Sequence, residues 1–175
     1  MTEEGIKSVE LLEGNSWVLP TDIDLKVPAQ EAFVRKLVEA GWDPDSRDVY
    51  WFTYAFDEAY INAVAHGNLG MDKPEGPDGF TMKEIRDRQA SFSPAQNRKI
   101  YVDIDISETE ASLTIRDDGD GFDPSEVPDP TLEENRNKSN GRGIATISKL
   151  FDSVKYSDGG RCITIKKTRT LESVS

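Results

Sequence analysis

Lys99-Ile100-Tyr101-Val102-Asp103-Ile104-Asp105-Ile106 and Ala111-Ser112-Leu113-Thr114-Ile115-Arg116-Asp117, separated by Ser107-Glu108-Thr109-Glu110, alternate apolar and polar side chains. Such alternation predicts two paired strands, each with one face in a core, and the separation suits a hairpin. The second run ends in Asp117-Asp118-Gly119-Asp120-Gly121-Phe122, an acidic turn rich in glycine. An acid at the end of a strand followed by two side-chain-free positions lets the backbone turn sharply and approach a ligand. Considered alone, the segment is also explained by a plain tight turn.

Upstream of the hairpin the apolar spacing changes to that of helices. Residues 1–15 have no periodicity and predict a flexible arm. Ser16–Pro20 reads as a strand, with Pro20 favouring an edge. Pro28–Ala40 places Phe33, Leu37 and either Val34 or Val38 on one helical face, with Gly41 as a stop. A second helix starts near Asp45 or Ser46 and runs to His66, where Gly67 suits a left-handed cap. Phe52, Ala55, Phe56, Ala59 and Ala63 form its apolar stripe. Glu58 and Asn62 lie about a quarter-turn from that stripe, stacked one turn apart, and His66 continues their face. A carboxylate bordering the core can act as a base, and an amide oxygen is a hard ligand suited to magnesium. An ordinary polar helix face also explains this pair by itself. Residues 68–97 are irregular, with Pro74, Gly76, Pro77 and Gly79, and hold a short helix at Thr81–Gln89.

Downstream, residues 122–140 are too long for an ordinary connection and read as a functional loop. Gly141-Arg142-Gly143 then opens a helix over Arg142–Phe151, an arrangement whose free amides and dipole favour phosphate oxygens. Ser153–Ser157 and Arg161–Thr168 predict a closing hairpin around Asp158-Gly159-Gly160. Asp117 can accept a hydrogen bond from the exocyclic amine of adenine, a contact guanine does not offer. The sequence holds neither a P-loop pattern nor a dinucleotide-binding glycine pattern. A calcium loop starting at Asp118 needs Asp or Asn at 122 and Glu at 129, where the chain has Phe122 and Asp129.

At 175 residues the chain suits one domain, and its 36% hydrophobic content can build a core without disulfides or metals. A net charge of −12 argues against nucleic acid as the main partner, while leaving a basic protein partner open. No apolar run reaches membrane-spanning length and the start lacks a signal-peptide pattern. The single cysteine, Cys162, is expected to be a buried structural thiol. These features predict a cytoplasmic protein without direct nucleic-acid or membrane contact.

The ordered set Asp57-Glu58, Asn62-Ala63, His66-Gly67, then Asp117-Asp118-Gly119-Asp120-Gly121-Phe122, then Gly141-Arg142-Gly143-Ile144 resembles the GHKL (histidine-kinase-like) ATPase superfamily. With Leu19-Pro20 and Phe151-Asp152-Ser153-Val154, it is similar to the anti-sigma-factor serine/threonine kinase branch of bacterial partner-switching systems. The resemblance spans Trp17 to Lys167. It implies an α/β two-layer sandwich, with a mixed, mostly antiparallel sheet covered on one face by helices. It further implies one domain over 16–168 with an insertion at 68–97, an ATP lid at 122–140 and a tail at 169–175. By resemblance Glu58 is the general base, Asn62 the magnesium ligand and Asp117 the adenine contact. His66, Gly119, Gly121, Phe122, Gly141, Gly143 and Ile144 belong to the nucleotide pocket, and charge and position make Arg136, Lys138 and Arg142 candidates to meet phosphates. The sequence departs from the family in its long 68–97 segment, where a partner surface is expected to be altered. It departs again at Gly160-Arg161, where members often carry Gly-Thr.

A sensor histidine kinase needs an acceptor histidine on a dimerising hairpin, whereas the one histidine here, His66, sits inside the nucleotide box. The chain also lacks the length for the transducer domains of the topoisomerase, chaperone and repair branches. The resemblance therefore implies a kinase using ATP and Mg2+ on a STAS-domain antagonist protein, able to sequester a sigma factor and forming a homodimer. A binding module that holds ATP without transfer, and an ATP hydrolase without a protein acceptor, are the alternatives.

Overall fold

The computed structural model describes residues 12–72, 76, 79–123, 125 and 142–171. Its strands are β1 (Ser16–Pro20), β2 (Lys99–Ile106), β3 (Glu110–Asp117), β4 (Ser153–Ser157) and β5 (Cys162–Thr168). They form a five-stranded sheet in the order β1-β2-β3-β5-β4. Every described pairing is antiparallel, so the expected parallel component is absent among the described strands. Direct hairpins join β2 to β3 and β4 to β5, and a hairpin can only pair its strands antiparallel. Pro20 does end an edge strand, opposite Lys99.

The helices are α1 (Lys26–Glu39), α2 (Arg47–Asn62), α3 (Met82–Ser91) and α4 (Arg142–Leu150). Alternation along the strands sends Trp17, Leu19, Ile100, Val102, Ile104, Leu113, Ile115, Ile163 and Ile165 toward them, all buried. α1 answers with Phe33 and Leu37, and Val34 is the valine that packs, while Val38 faces solvent. α2 contributes the predicted stripe of Phe52, Ala55, Phe56 and Ala59, all buried. The Phe52 ring stands edge-on to Phe33 at 5.6 Å, Trp42 at 5.7 Å and Phe151 at 4.9 Å, the geometry aromatic quadrupoles favour. Phe52 thereby joins α1, α2 and the end of α4 around one ring.

The predicted edge of α2 holds at its start, where Ser46 Oγ accepts the Val49 amide at 3.3 Å. Its end differs. From Ala63 to Asn68 the chain continues as a π-helical turn, with the Leu69 amide donating to the Val64 carbonyl at 2.9 Å. Gly67 is therefore not a left-handed cap; Gly70, at φ 59°, takes that conformation.

Within the 68–97 segment, Thr81 and Glu84 close a capping box at the start of α3. α3 buries Ile85 and reaches back to the first connection, where Gln89 Oε1 accepts the Ile23 amide at 3.0 Å. Cys162 is half-exposed, correcting the expected buried thiol. Period-two alternation gives the core to Ile163 and Ile165 and leaves Cys162 on the uncovered face beside Arg116. No helix among the described residues is long and apolar enough to cross a membrane.

Candidate functional site

α2 carries two neighbouring acids that face different ways. Asp57 is taken up by α1, accepting Gln30 Nε2 at 2.7 Å and pairing with Lys26 Nζ at 3.2 Å. Glu58 turns toward α4 instead, and neither its carboxylate nor the Asn62 amide makes a hydrogen bond among the described residues. Burial raises the Glu58 pKa, the Asp57 charge raises it further, and Lys26 opposes both. A half-buried, unpaired carboxylate of raised basicity is able to accept a proton.

α4 reaches Glu58 because Ile144 and Ile147 bury its apolar face against the core. The approach is close enough to require glycine at 143, where a Cβ would stand 2.9 Å from Glu58 Cγ and overlap the carboxylate. Ile144 is itself buried, so its side chain serves packing.

The other end of the site is the exit of β3. Asp117 is 7% exposed, and its Oδ1 accepts the Gly119 amide at 2.8 Å. Burial pushes its carboxyl pKa up to about 6, overcoming the lowering by the Gly119 amide; Asp118 raises it further, and Arg161 and Arg98 lower it. Gly67 lies directly against this carboxylate, with a hypothetical Cβ 2.6 Å from Asp117 Oδ1 and nearer still to Cγ. A Cβ at Gly119 would strike the Gly67 carbonyl, so the two glycines and Asp117 form one tight cradle. Gly67→Ala is expected to cost about 1–3 kcal/mol through this overlap, read as a lower urea midpoint; an unchanged midpoint would show that the turn gives way freely.

The remaining predicted positions separate. Gly121, at φ 76°, and Phe122 dock on the β4–β5 turn, where the Phe122 amide donates to the Gly159 carbonyl at 2.9 Å. The Phe122 ring, 44% exposed, meets Tyr156 edge-on at 5.1 Å. The His66 ring rests 5.2 Å from Phe80. The Arg161 side chain folds onto its own turn, donating to the Asp158 carbonyl and carboxylate at 3.0 Å each. Arg136, Lys138, Gly141 and the Arg142 side chain lie outside the described residues, as does most of the 122–140 loop.

Sequence reading missed the support beneath Asp117. Asn68 is 0% exposed, and its side chain binds Asp118, Thr21 and Lys99 at once. The signal was an amide directly after His66-Gly67, hidden because the helix was expected to end there. Asp118, read as part of the glycine turn, instead faces the sheet and accepts the Lys99 amide at 2.8 Å and the Tyr101 hydroxyl at 3.2 Å.

The arrangement has two working ends on one element. Glu58 faces the glycine start of α4, and Gly67 faces a buried acid at the end of β3. Glycine at 67, 119 and 143 lets the backbone close on the Asp117 and Glu58 carboxylates, where a Cβ would overlap a neighbouring atom. No group of three or more His, Cys, Asp or Glu residues able to hold a metal occurs among the described residues. The family model described as the histidine kinase-like ATPase domain matches residues 19–167. No curated protein matches the chain.

Proposed function

The chain belongs to the histidine kinase-like ATPase family of ATP-binding domains, and we propose that it is a serine/threonine protein kinase and anti-sigma factor. Its substrate would be a STAS-type antagonist protein, and its second partner a sigma factor. The observation that carries the reading is Glu58, a half-buried carboxylate of raised pKa that makes no hydrogen bond among the described residues and lies against Gly143 at the α4 start.

In this reading Asp117 accepts the exocyclic amine of adenine, and Gly67 and Gly119 admit the ring. Gly143 lets the start of α4 close directly on Glu58, which would set that carboxylate beside the phosphate chain. Asn62 would hold Mg2+, which supplies charge neutralisation to the phosphates when bound. Glu58 takes the proton of the acceptor hydroxyl as its oxygen bonds to the γ-phosphorus. The bond to the β–γ bridging oxygen breaks, and ADP leaves. Such transfer rests on positioning and electrostatics more than on covalent chemistry. The 175 residues hold one histidine, His66, which the resemblance places in the nucleotide box and not on a dimerising hairpin.

Incubation with Mg-ATP and STAS domains encoded in the same genome, followed by mass spectrometry, tests the proposal. One phosphoserine or phosphothreonine on a STAS domain is the expected product. Tight ATP binding without any transfer would replace the kinase with a sequestering module, and ADP release without phosphoprotein would make it a hydrolase.

A further inference from the structure

We infer that Asn68 is a positioning residue for nucleotide-base recognition: it locks the peptide after Asp117 and so aims the carboxylate that reads adenine. This rests on the assignment of Asp117 to the adenine amine.

Asn68 uses every direction its amide offers. Oδ1 accepts the Asp118 amide at 2.8 Å. Nδ2 donates to Thr21 Oγ1 at 2.9 Å and to the Lys99 carbonyl at 2.9 Å. Its main-chain carbonyl accepts Arg98 Nη1 at 2.9 Å, while Thr21 Oγ1 donates to the Arg98 carbonyl at 2.7 Å. One fully buried side chain thus binds the chain after β1, the start of β2 and the exit of β3.

What this network fixes is the distance between two neighbouring contacts. Gly67 touches the Asp117 carboxylate, and Asn68 bonds the amide of residue 118. The backbone pairing of Ile100 with Asp117 sets the strand, but it does not set how far the π turn stands from the strand's exit. The Asn68–Asp118 bond does. Without it, the peptide holding Asp117 can tilt while the carboxylate remains beside Gly67, and aim is lost before the fold is. Buried polar networks that are fully satisfied define one geometry in this way.

The test measures selectivity for the 6-amino group: the ratio of affinities for ATP and for purine riboside triphosphate, which lacks that amine. Measurements are made on the full chain by calorimetry, well below the melting temperature. Wild type is expected to prefer ATP by about tenfold or more, the worth of one hydrogen bond to a charged group. Asn68→Ser should bring the ratio close to one while changing the affinity for the des-amino analogue less than about threefold. Lower stability with an unchanged ratio would make Asn68 merely structural and overturn the inference. If Asn68→Ser fails to fold, Asn68→Ala measured beside wild type in a stabilising osmolyte takes its place, and an unaltered ratio in that variant overturns the inference equally. A wild type with no 6-amino preference would sink the adenine assignment itself, whereas retained selectivity in the variants sinks only the role of Asn68.

Discussion

Asp117→Asn is expected to yield a protein that holds ATP about 10–150-fold more weakly, the range for losing one hydrogen bond to a charged group, yet is more stable at neutral pH. Both effects come from one buried carboxylate. Its pKa, about 6 in the folded protein against an ordinary 3.8, means that folding favours the proton. Below pH 3.8 both states are protonated and the group is neutral in effect. Between 3.8 and 6 the folded state holds a proton that the unfolded chain has released, so stability falls as pH rises, and above about 6 the full penalty stands. That penalty is on the order of 3 kcal/mol, and an isosteric amide should recover about 1–3 kcal/mol of it, less whatever its unpaired N–H costs. Urea titrations across pH 4–8 should show the two curves meeting at the acidic end and separating above it.

ATP affinity provides the mirror image. Wild type needs the ionised acceptor, so its affinity should weaken below about pH 6, by up to about tenfold per unit for a one-proton linkage. The asparagine variant should lack that dependence. A variant that is less stable than wild type at pH 8, or that binds ATP as tightly, would remove Asp117 from the adenine role.

The second large effect is expected at Glu58. Glu58→Gln keeps the shape beside Gly143 and removes the base, so phosphoryl transfer should fall about 10²–10⁴-fold. ATP affinity should stay within about threefold, because glutamine keeps the size and shape of the side chain that lies against Gly143. The pH profile separates loss of a base from distortion. Since burial and Asp57 raise the Glu58 pKa, the wild-type rate should climb with pH through a value above 4.5 and then level off. The residual rate of the glutamine variant should be flat over that range. Transfer at the wild-type rate in Glu58→Gln would mean that another group takes the proton.

Most of the architecture was legible because its signals are periodic. β2 and β3 announce themselves by alternation, α2 by the stripe from Phe52 to Ala63, and the acid–glycine turn by composition. Three things escaped for physical reasons. The π turn leaves no mark in residue spacing, so from sequence Gly67 reads as a helix cap. Cys162 was judged by the habits of its residue type, when its place in an alternating strand decided its exposure. The Asn68 network joins residues far apart in sequence, and only the pairing of β1, β2 and β3 brings Thr21, Lys99 and Asp118 around one amide. The glycines were recognisable as turn formers, but the close contacts that require them at 67 and 143 needed the packing of α2 against β3 and α4.

The π turn from Ala63 to Asn68 has an evolutionary consequence. Bonding to the fifth residue back instead of the fourth is what results when one residue is added to an α-helix already anchored at both ends. A single-codon insertion of that kind leaves Glu58 and Asn62 where they were and redirects everything that follows. One helical run can then meet the start of α4 with Glu58 and the exit of β3 with Gly67.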